Sequence, residues 1–590
     1  MSDCTVTFVK EKRTVKVKPH TTILYAQRMA GLIPDAPCGG MGQCGKCQVD
    51  LSDGENIARV KACCTFVEKD IQVYTLDKTQ HSQLLEKGKA GKTEFVPALQ
   101  IVHVTIKRCA PGESRSDWNR LCDALCEKTG NSQYGIPGAE GISKIGSIIK
   151  NNQGKATVIL LNGAVLNILP AEEKEETVLA VVFDIGTTSV VGYLLNMKTG
   201  SQISCVSSLN EQRKYGADVI MRANYVLENR SMGPCDCIRR QLGEMIGELC
   251  ESGGVQREEI YQVCIAGNTC MHHLFLGISP DSLVRAPYNP VISQALDLKA
   301  ADYGIMVYPQ ARLWVLPVIA GFVGADTVGC MLAMDMEHEE KMTLLIDIGT
   351  NGEIVLGNRH RRIACSTAAG PAFEGAKITC GMRGSEGAVE HVTLDERSQP
   401  VYQVIGGGEP VGICGSGLVD LIAVLLDLGV IDESGYMEMS TATFVYEEKT
   451  AWLISQTGSG DETTGVFLTQ KDVREVQMAK GAIAAGIQMM AKQMGIEICD
   501  IEQVYIAGAF GNYMRAESAC RIGMLPGELL NRIVPVGNAA GDGAKIAVLN
   551  KKEWLRAQRL AEQTEFLELA TLAEFQDYYV DALDFPEVEE

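Results

Sequence analysis

The sequence predicts a multidomain α/β protein, and three observations lead to this class. The chain has 590 residues, enough for three or four domains with large buried cores. Cysteines and glycines cluster over residues 38–63, between short runs that alternate apolar and polar residues. From residue 177 onward, apolar strand-like runs alternate with helical patterns, as in a layered α/β fold. We expect domains at residues 1–80, 96–172 and 177–590, with a linker over residues 81–95.

Composition excludes several classes of protein. The net charge of −20 argues against a nucleic-acid partner, and 21 cysteines scattered over a long chain differ from a disulfide-rich secreted fold. The N-terminus lacks a basic and then apolar leader. The most apolar stretch, residues 313–323, is broken by Pro317 and Gly321 and is too short to span a bilayer. We therefore expect a cytoplasmic protein with neither a nucleic acid nor a membrane as partner.

The first domain is expected to be a small sheet beside a metal-binding loop. Its predicted elements are a hairpin over residues 5–10 and 13–17, a helix over 21–30, and strands over 48–51 and 71–74. Hairpin, helix, loop and strands in this order resemble the β-grasp of plant- and adrenodoxin-type [2Fe–2S] ferredoxins over residues 1–78.

The loop reads Cys38-x5-Cys44-x2-Cys47, and the adjacent pair Cys63 and Cys64 begins sixteen residues later. Thiolates so spaced can wrap an iron–sulfur cluster, while the glycines between them bring amide groups close to its sulfurs. A zinc site or a set of inert thiols is the alternative, but zinc usually takes two Cys-x2-Cys pairs and only one is present. We predict a [2Fe–2S] cluster whose fourth ligand is either Cys63 or Cys64.

Residues 96–170 predict a small α/β unit between two connectors. Strands are expected over residues 99–106 and 156–161, with a helix between them over 116–128. A charged run over residues 171–176 follows this unit and is expected to be an exposed connector.

Two segments of the remaining chain repeat each other. Residues 178–195 read VLAVVFDIGTTSVVGYLL, and residues 342–357 read MTLLIDIGTNGEIVLG. Each is a strand, the tetrapeptide Asp-Ile-Gly-Thr and a second strand, and the copies begin at Asp184 and Asp347, about 160 residues apart. The glycine lets backbone amides and threonine hydroxyls face a phosphate, and the aspartate can hold Mg²⁺ directly or through water. Two unrelated hairpins are the alternative.

The duplicated turn resembles the superfamily of actin, the heat-shock chaperone ATPases and the sugar kinases, with a ribonuclease-H-like fold in each half. The resemblance implies ATP and Mg²⁺ as cofactors. It implies catalytic roles for Asp184, Asp347 and Asp326, of which Asp326 is a candidate to orient the attacking water. The implied nucleotide-binding residues are Gly186, Thr187, Thr188 and Ser189 in a first loop, Gly349, Thr350, Asn351 and Gly352 in a second loop, and Gly508, Ala509 and Gly511 in an adenosine loop.

Other stretches have no assigned role. The glycine-rich runs 368–375 and 412–417 suit either an anion or close helix packing. Asn268 follows a predicted strand and is a candidate to face the cleft. His272 and His273 could be ligands, but we expect them to be structural.

Taken together, the domains resemble one family, the reductive activators of corrinoid proteins, over the whole chain. The resemblance also rests on GNTCMHHLFLG (267–277), VIAGFVGAD (318–326), AAGPAFEGAKI (368–378) and GICGSGLVDLI (412–422). It implies that Cys63 is the fourth cluster ligand, since Ala62-Cys63 stands where this family places that ligand. The cluster residues would then be Cys38, Cys44, Cys47 and Cys63.

This resemblance also implies an activity. A one-electron transfer driven by ATP would restore Co(I) in an inactive Co(II) corrinoid protein of a methyltransferase system. It implies a low-potential cellular electron donor as a second partner, and a homodimer. The alternatives are an electron donor of the 2-hydroxyacyl-CoA dehydratase activator type, a small-metabolite kinase with a redox-sensing cluster, and a binding module that senses nucleotide and redox state.

Overall fold

The computed structural model describes residues 4–30, 32, 47–52, 57–75, 93–171, 177–440, 443–456 and 465–587. The predicted ligands Cys38 and Cys44 lie outside the described residues, as do most of the predicted linker and the charged run over residues 172–176.

The N-terminal domain is a five-stranded mixed sheet with one helix, and the predicted hairpin, helix and two later strands are all present in it. Its elements are β1 Cys4–Phe8, β2 Arg13–Val17, β3 Thr21–Thr22, α1 Ile23–Met29, β4 Gln48–Ser52, β5 Ile57–Lys61, β6 Phe66–Val67 and β7 Ile71–Thr75. The strand order is β2-β1-β7-β4-β5, and the central pair β1–β7 is parallel. The Thr22 hydroxyl accepts a bond from the Tyr25 amide at 3.2 Å, which caps α1. Strands β3, β5 and β6 are absent from the sequence prediction, which places residues 21 and 22 in the helix.

The second unit is a three-stranded antiparallel sheet covered by two helices. Its elements are β8 Leu99–Thr105, α2 Asp117–Thr129, α3 Ala139–Asn151, β9 Lys155–Leu161 and β10 Ala164–Pro170. The prediction contains β8, α2 and β9 but neither α3 nor β10. The unit packs on the next domain through apolar side chains such as Leu99 and Leu166, which belong to the core of that domain, and through a hydrogen bond from the Asn167 amide to the Tyr261 hydroxyl at 3.0 Å.

The first lobe of the large domain is built on a six-stranded sheet. Its strands are β11 Leu179–Ile185, β12 Ser189–Asn196, β13 Gln202–Leu209, β14 Ile260–Gly267, β15 Leu296–Lys299 and β16 Arg312–Val315. Its helices are α4 Val219–Asn229, α5 Gly233–Gly253, α6 Thr269–Leu276, α7 Asp281–Val284 and α8 Ala325–Ala333. The strand order is β13-β12-β11-β14-β16-β15.

The second lobe contains a second six-stranded sheet and two three-stranded sheets. Its strands are β17 Thr343–Ile348, β18 Gly352–Gly357, β19 Arg362–Thr367, β20 Ala388–Leu394, β21 Pro400–Val404, β22 Gly412–Ile413, β23 Thr443–Tyr446, β24 Lys449–Ser455, β25 Val466–Thr469, β26 Gln503–Ala507, β27 Ile533–Gly537 and β28 Thr564–Phe566. The helices of this part of the chain are α9 Gly415–Asp427, α10 Gln470–Met494, α11 Gly508–Tyr513, α12 Ala516–Arg521, α13 Ala539–Leu549, α14 Lys551–Gln563 and α15 Ala573–Asp581. The order of the large sheet is β27-β26-β17-β18-β19-β28.

Five strands of each large sheet share one topology, which confirms the duplication. In each, three antiparallel strands are followed by a strand that pairs in parallel with the first of them and by another that pairs in parallel with that strand. The sixth strand differs, since β15 lies beside β16 and β28 lies beside β19. Asp184 on β11 is in register with Ala266 on β14, and Asp347 on β17 is in register with Ala507 on β26. The two aspartates therefore occupy equivalent positions at the ends of equivalent strands.

The chain crosses back to the first lobe after β27. Helices α13 and α14 contribute to the core of the first lobe, where Trp554 stacks on Trp314 with ring centroids 4.2 Å apart. Helix α13 crosses α8 so closely that a Cβ on Gly543 would lie 1.9 Å from the Gly329 carbonyl oxygen. Strand β28 then returns to the second lobe beside β19. Two crossings of the chain thus connect the lobes. Within the described residues, no helix is both long enough and apolar enough to cross a membrane.

Candidate functional site

A cavity lies between the two lobes, and both Asp-Ile-Gly-Thr turns line it. Asp184 and Asp347 are the second-last residues of β11 and β17, so the paired strands fix their positions. Asp326, in the first turn of α8, faces the same cavity. The structure thus brings together the three aspartates that the sequence analysis names as catalytic.

Burial raises the affinity of all three carboxyl groups for protons, and the charge of Asp347 adds to the effect at the other two. Burial raises the pKa of Asp184 to about 7; the charge of Asp347 adds to this shift and the Asn538 amide opposes it. Burial raises the pKa of Asp347 to about 6, although a hydrogen bond from the Cys330 thiol lowers it in part. Burial and then the charge of Asp347 raise the pKa of Asp326. Carboxylates crowded in this way are stabilised in their charged form by a cation, and their oxygens suit Mg²⁺.

The first phosphate loop is held from behind by a buried cation. Arg222 on α4 is fully buried, and its Nη2 donates to the Thr187 carbonyl oxygen at 2.5 Å. Its Nε donates to the Gly216 carbonyl oxygen at 3.0 Å, and burial lowers its pKa to about 10. The Asn268 amide donates to the Thr187 hydroxyl at 2.9 Å, while the Asn268 side-chain oxygen caps α6. Backbone and side chain of Thr187 are therefore both fixed.

The second phosphate loop is shaped by close backbone contacts. The Gly349 amide donates to the Asn351 carbonyl oxygen at 2.9 Å, which closes the turn. Gly508 has φ +89°, and a Cβ there would lie 2.8 Å from both Asp347 Oδ1 and the Ile348 carbonyl oxygen. Only glycine lets the loop after β26 approach the second phosphate turn so closely. Glu353, opposite Asp347 in the strand pair, is buried, and burial raises its pKa far above the usual range.

Most of the predicted nucleotide residues lie in the cavity wall. Those that line it are Gly186, Thr187, Thr188, Ser189, Gly349, Thr350, Asn351 and Gly508. Gly352 and Gly511 are outside that lining, and the side chain of Ala509 is outside the part of the chain that the structure describes. Gly352 is close to the Thr367 hydroxyl, and Gly511 packs on its own strand, where a Cβ would lie 2.3 Å from the Ile506 side chain. The ring of Phe510, between Ala509 and Gly511, lines the cavity instead and stacks on Phe373 with centroids 4.9 Å apart.

Sequence reasoning missed three polar residues of the cleft. Arg222 supports the first loop, the Asn538 side chain contacts Asp184, and Glu374 accepts hydrogen bonds from threonines of both loops. A signal existed for Glu374, because it lies within the glycine-rich run that had no assigned role. A further signal was the repeat of Ile-Ala-Gly at residues 265–267 and 506–508, which marks the equivalent strands β14 and β26.

The cysteine site is described only in part. Cys47 and Cys63 are buried, and their sulfurs lie 3.2 Å apart although sixteen residues separate them. The Ala62 amide donates to the Cys47 carbonyl oxygen at 2.8 Å, so the backbone fixes this approach. Cys64 is exposed, and its sulfur lies 3.6 Å from that of Cys63. Two thiols that converge from separate elements fit an iron–sulfur cluster, and Cys63 fits better than Cys64.

The remaining candidate ligands are buried in the core. The Val291 amide donates to His273 Nε2 at 2.9 Å, and His273 Nδ1 lies 2.9 Å from the Thr269 carbonyl oxygen. Burial lowers the pKa of His272 to about 3. Both observations fit the structural role that we expected. In the part of the chain that the structure describes, no three His, Cys, Asp or Glu side chains are placed to hold a metal ion together.

The fold and the cleft define a class: a two-lobed ATPase of the actin type, joined in one chain to a ferredoxin domain. Family models match in the same order: a 2Fe-2S iron-sulfur cluster binding domain over residues 6–69, the RACo linker region over 88–175, the RACo middle region over 179–339, and the C-terminal ASKHA domain of RACo over 341–590.

Relatives match over most of the chain. It is 34% identical over 566 residues to the corrinoid activation enzyme RamQ of Eubacterium limosum, covering 93% of this chain and 94% of that protein. It is 25% identical over 439 residues to the [Co(II) methylated amine-specific corrinoid protein] reductase of Methanosarcina barkeri, covering 69% of this chain and 76% of that protein. A solved structure, a reductive activator for corrinoid, iron-sulfur protein, is 30% identical, covers 99% of both chains and superposes with a TM-score of 0.77. The chain therefore belongs to the RACo family of reductive activators.

Proposed function

We propose that this protein catalyses the ATP-dependent, one-electron reduction of Co(II) to Co(I) in a corrinoid protein of a methyltransferase system. One observation carries the proposal. A single chain joins a converging cysteine pair to a two-lobed phosphate cleft, and over almost its full length it is similar to a corrinoid activation enzyme and a reductive activator.

The energetics explain why an electron carrier and an ATPase belong in one chain. Plant-type [2Fe–2S] clusters have potentials near about −400 mV, and Co(I) is a stronger reductant still. For a one-electron step, each mismatch of about 59 mV costs a factor of ten in the equilibrium constant. ATP can offset this cost only if its bound states differ in affinity for the partner or for its cobalt states.

The cluster, when bound, supplies a one-electron carrier, and Cys38, Cys44, Cys47 and Cys63 would hold it. The protein's own contribution is to bring deprotonated sulfurs together from separate elements. We expect Cys63→Ser to abolish the visible absorption and the iron content of the purified protein. Cys64→Ser is the matched control and should retain both; loss of the cluster from the Cys64 variant alone would reverse the assignment.

Mg²⁺ bound with ATP would supply charge neutralisation, and Asp184 and Asp347 would hold it directly or through water. Mg²⁺ is usually bound by one or two carboxylates together with phosphate oxygens. Asp326 would orient the attacking water. The threonine hydroxyls and loop amides would hold the phosphates, and Gly508 would allow the adenosine loop its approach.

Two further partners follow from the proposal. A low-potential cellular donor would reload the protein with one electron after each reduction. The protein is expected to be a homodimer, and light scattering on the purified protein would give about twice the mass of one chain.

The test is anaerobic reduction of a Co(II) corrinoid methyltransferase subunit, followed by its visible spectrum. With reductant and this protein, we expect Co(I) only after Mg·ATP is added, and none with Cys47→Ala. ATP hydrolysis without Co(I) for several such subunits would contradict the proposal and favour a dehydratase-type electron donor or a kinase.

A further inference from the structure

One carboxylate joins the phosphate loops of the two lobes. The Thr188 hydroxyl of the first loop donates to Glu374 Oε2, and the Thr350 hydroxyl of the second loop donates to Glu374 Oε1 at 2.7 Å. Glu374 also lines the cavity between the lobes. Both oxygens of one side chain are therefore occupied by donors from opposite sides of the cleft.

A tight turn presents this carboxylate. The Glu374 and Ala376 amides donate to the Pro371 carbonyl oxygen at 3.1 and 3.2 Å, and Gly375 closes the turn with φ +72°. The preceding residue, Phe373, stacks on Phe510. Because the backbone is fixed on both sides of Glu374, its carboxylate is held at the loops rather than swinging freely.

The two hydroxyl groups that donate to Glu374 lie where they would otherwise donate to a phosphate. Thr188 and Thr350 follow the glycines of the two Asp-Ile-Gly-Thr turns, where hydroxyls face a phosphate. A carboxylate that accepts two hydroxyl bonds resembles a phosphoryl group that accepts the same two bonds. The buried cation Arg222 attracts the Glu374 charge, as it would attract a phosphate. Two anions cannot share these donors without strong repulsion.

We propose that Glu374 is an internal competitor of the nucleotide's phosphates, a latch that ties the two loops together and that a polyphosphate must displace. Binding then exchanges one bridge between the lobes for another and frees the carboxylate of the 371–375 turn. Nucleotide binding would in this way be signalled to a segment outside the phosphate loops. This inference rests on the proposed function, because it takes the cleft to be the nucleotide site.

The test compares nucleotide affinities of the full-length protein by calorimetry, with Mg²⁺ and a non-hydrolysable ATP analogue. Glu374→Gln removes the charge and keeps the shape, while Glu374→Ala removes both bonds. Because a latch lowers the fraction of protein competent to bind, we expect both variants to bind the analogue about tenfold more tightly than the unchanged protein. The increase in affinity should be much smaller for adenosine, because adenosine lacks phosphates.

A matched control carries the same change of charge outside the cleft. Glu386 is exposed and lies in the same lobe, so Glu386→Gln should bind the analogue within about twofold of the unchanged protein. Equal thermal unfolding of all variants would exclude misfolding as the cause of a difference.

Two results would overturn the latch. Unchanged affinity with greatly slowed hydrolysis would make Glu374 a catalytic base, and weakened affinity that extra Mg²⁺ restores would make it a metal ligand. In both cases the unchanged protein still binds the analogue, so the proposed function survives. If neither the unchanged protein nor the Glu374 variants bind the analogue, the nucleotide cleft itself is wrong and both proposals fall.

Discussion

The two lobes of the large domain share the order of five strands and the same Asp-Ile-Gly-Thr turn, yet groups of opposite charge type lie behind the two turns. Behind the first turn is the fully buried cation Arg222, which donates to the Thr187 carbonyl oxygen. Beside the second turn is Glu353, a buried acid whose pKa is raised by burial and then by the charges of Asp326 and Asp347. Duplication has kept the backbone of the site while the charge around it has diverged.

This difference indicates that the two loops have different roles in the cleft. A buried cation behind the first loop lowers the energy of any anion in front of it. The second loop has crowded acids and so favours a cation in front of it, or protons on its carboxyl groups. We infer that Arg222 biases the first loop toward phosphate binding, whereas Asp347 and Glu353 bias the second loop toward the metal that Asp184 would also hold.

The largest expected effect comes from the aspartates themselves. Because Asp347 is the charged neighbour that most raises the pKa of both Asp184 and Asp326, Asp347→Asn should reduce ATP hydrolysis by at least about 100-fold. It should also raise the Mg²⁺ concentration needed for half-maximal rate more than Asp184→Asn does. Steady-state assays over a Mg²⁺ series would measure both the rate and this Mg²⁺ concentration. An equal increase of the Mg²⁺ concentration in the two variants would contradict the different roles of the two loops. Asp302→Asn, an exposed site, is the control.

The groups behind the two turns give the next largest effect. Arg222→Met removes both the cation and the anchor of the first loop, so the Kd for Mg·ATP should rise about tenfold, which corresponds to ~1.4 kcal/mol. Glu353→Gln replaces a group that favours its neutral form by a neutral one of similar shape, and Kd should change less than about twofold. Arg222→Lys keeps the positive charge but lacks the forked set of N–H donors, so its Kd should lie between those of the unchanged protein and Arg222→Met. The reverse ranking, with Glu353→Gln the more damaging change, would contradict the comparison.

The crossing of helices α13 and α8 should affect stability. A Cβ on Gly543 would lie 1.9 Å from the Gly329 carbonyl oxygen, and backbone cannot yield as a side chain can. Gly543→Ala should therefore lower the free energy of unfolding by about 1–3 kcal/mol. Gly243 lies within α5 with nothing within 4 Å of its added Cβ, so Gly243→Ala should be neutral or stabilising. Urea unfolding of both variants would measure these free energies. Equal stability of the two variants would contradict a stabilising role of the helix crossing.

The last expected effect is on the pH dependence of stability. The pKa of Asp184 rises from its ordinary value of 3.8 to about 7 on folding, so the folded protein binds more protons than the unfolded chain between these values. The contribution of this group is full below about pH 4 and is lost as the pH rises through about 7, by at most ~1.4 kcal/mol per pH unit. Asp184→Asn should therefore stabilise the protein more at pH 8 than at pH 5 in thermal unfolding. A variant whose Tm difference from the unchanged protein is the same at both pH values would contradict the raised pKa.

Local patterns were enough to predict part of this site. Asp184 and Asp347 are found from the sequence because strand, turn and strand are adjacent in each copy, and the structure brings them to one cavity. Arg222 and Glu374 could not be found in this way, because long-range packing alone brings them to the loops. Their bonds to Thr187 and Thr188 span 35 and 186 residues.

Glycines and cysteines illustrate the same limit. The sequence groups Gly508 and Gly511 in one adenosine loop, but only tertiary contacts show that Gly508 faces the second phosphate turn while Gly511 packs on its own strand. Sequence spacing leaves Cys63 and Cys64 equivalent. The distinction between them comes from the approach of Cys63 to Cys47 and from the exposure of Cys64.

The central claim is that nucleotide in the cleft drives the electron of the cluster to cobalt. The most direct measurement mixes stoichiometrically reduced protein with a Co(II) corrinoid protein, without oxygen or excess reductant, and follows the cluster and Co(I) absorptions together. We predict that Mg·ATP oxidises the cluster and forms Co(I) in equal amounts, and that neither occurs without ATP or with Asp347→Asn. Equal Co(I) formation without ATP, or Co(I) formation while the cluster stays reduced, would contradict the account.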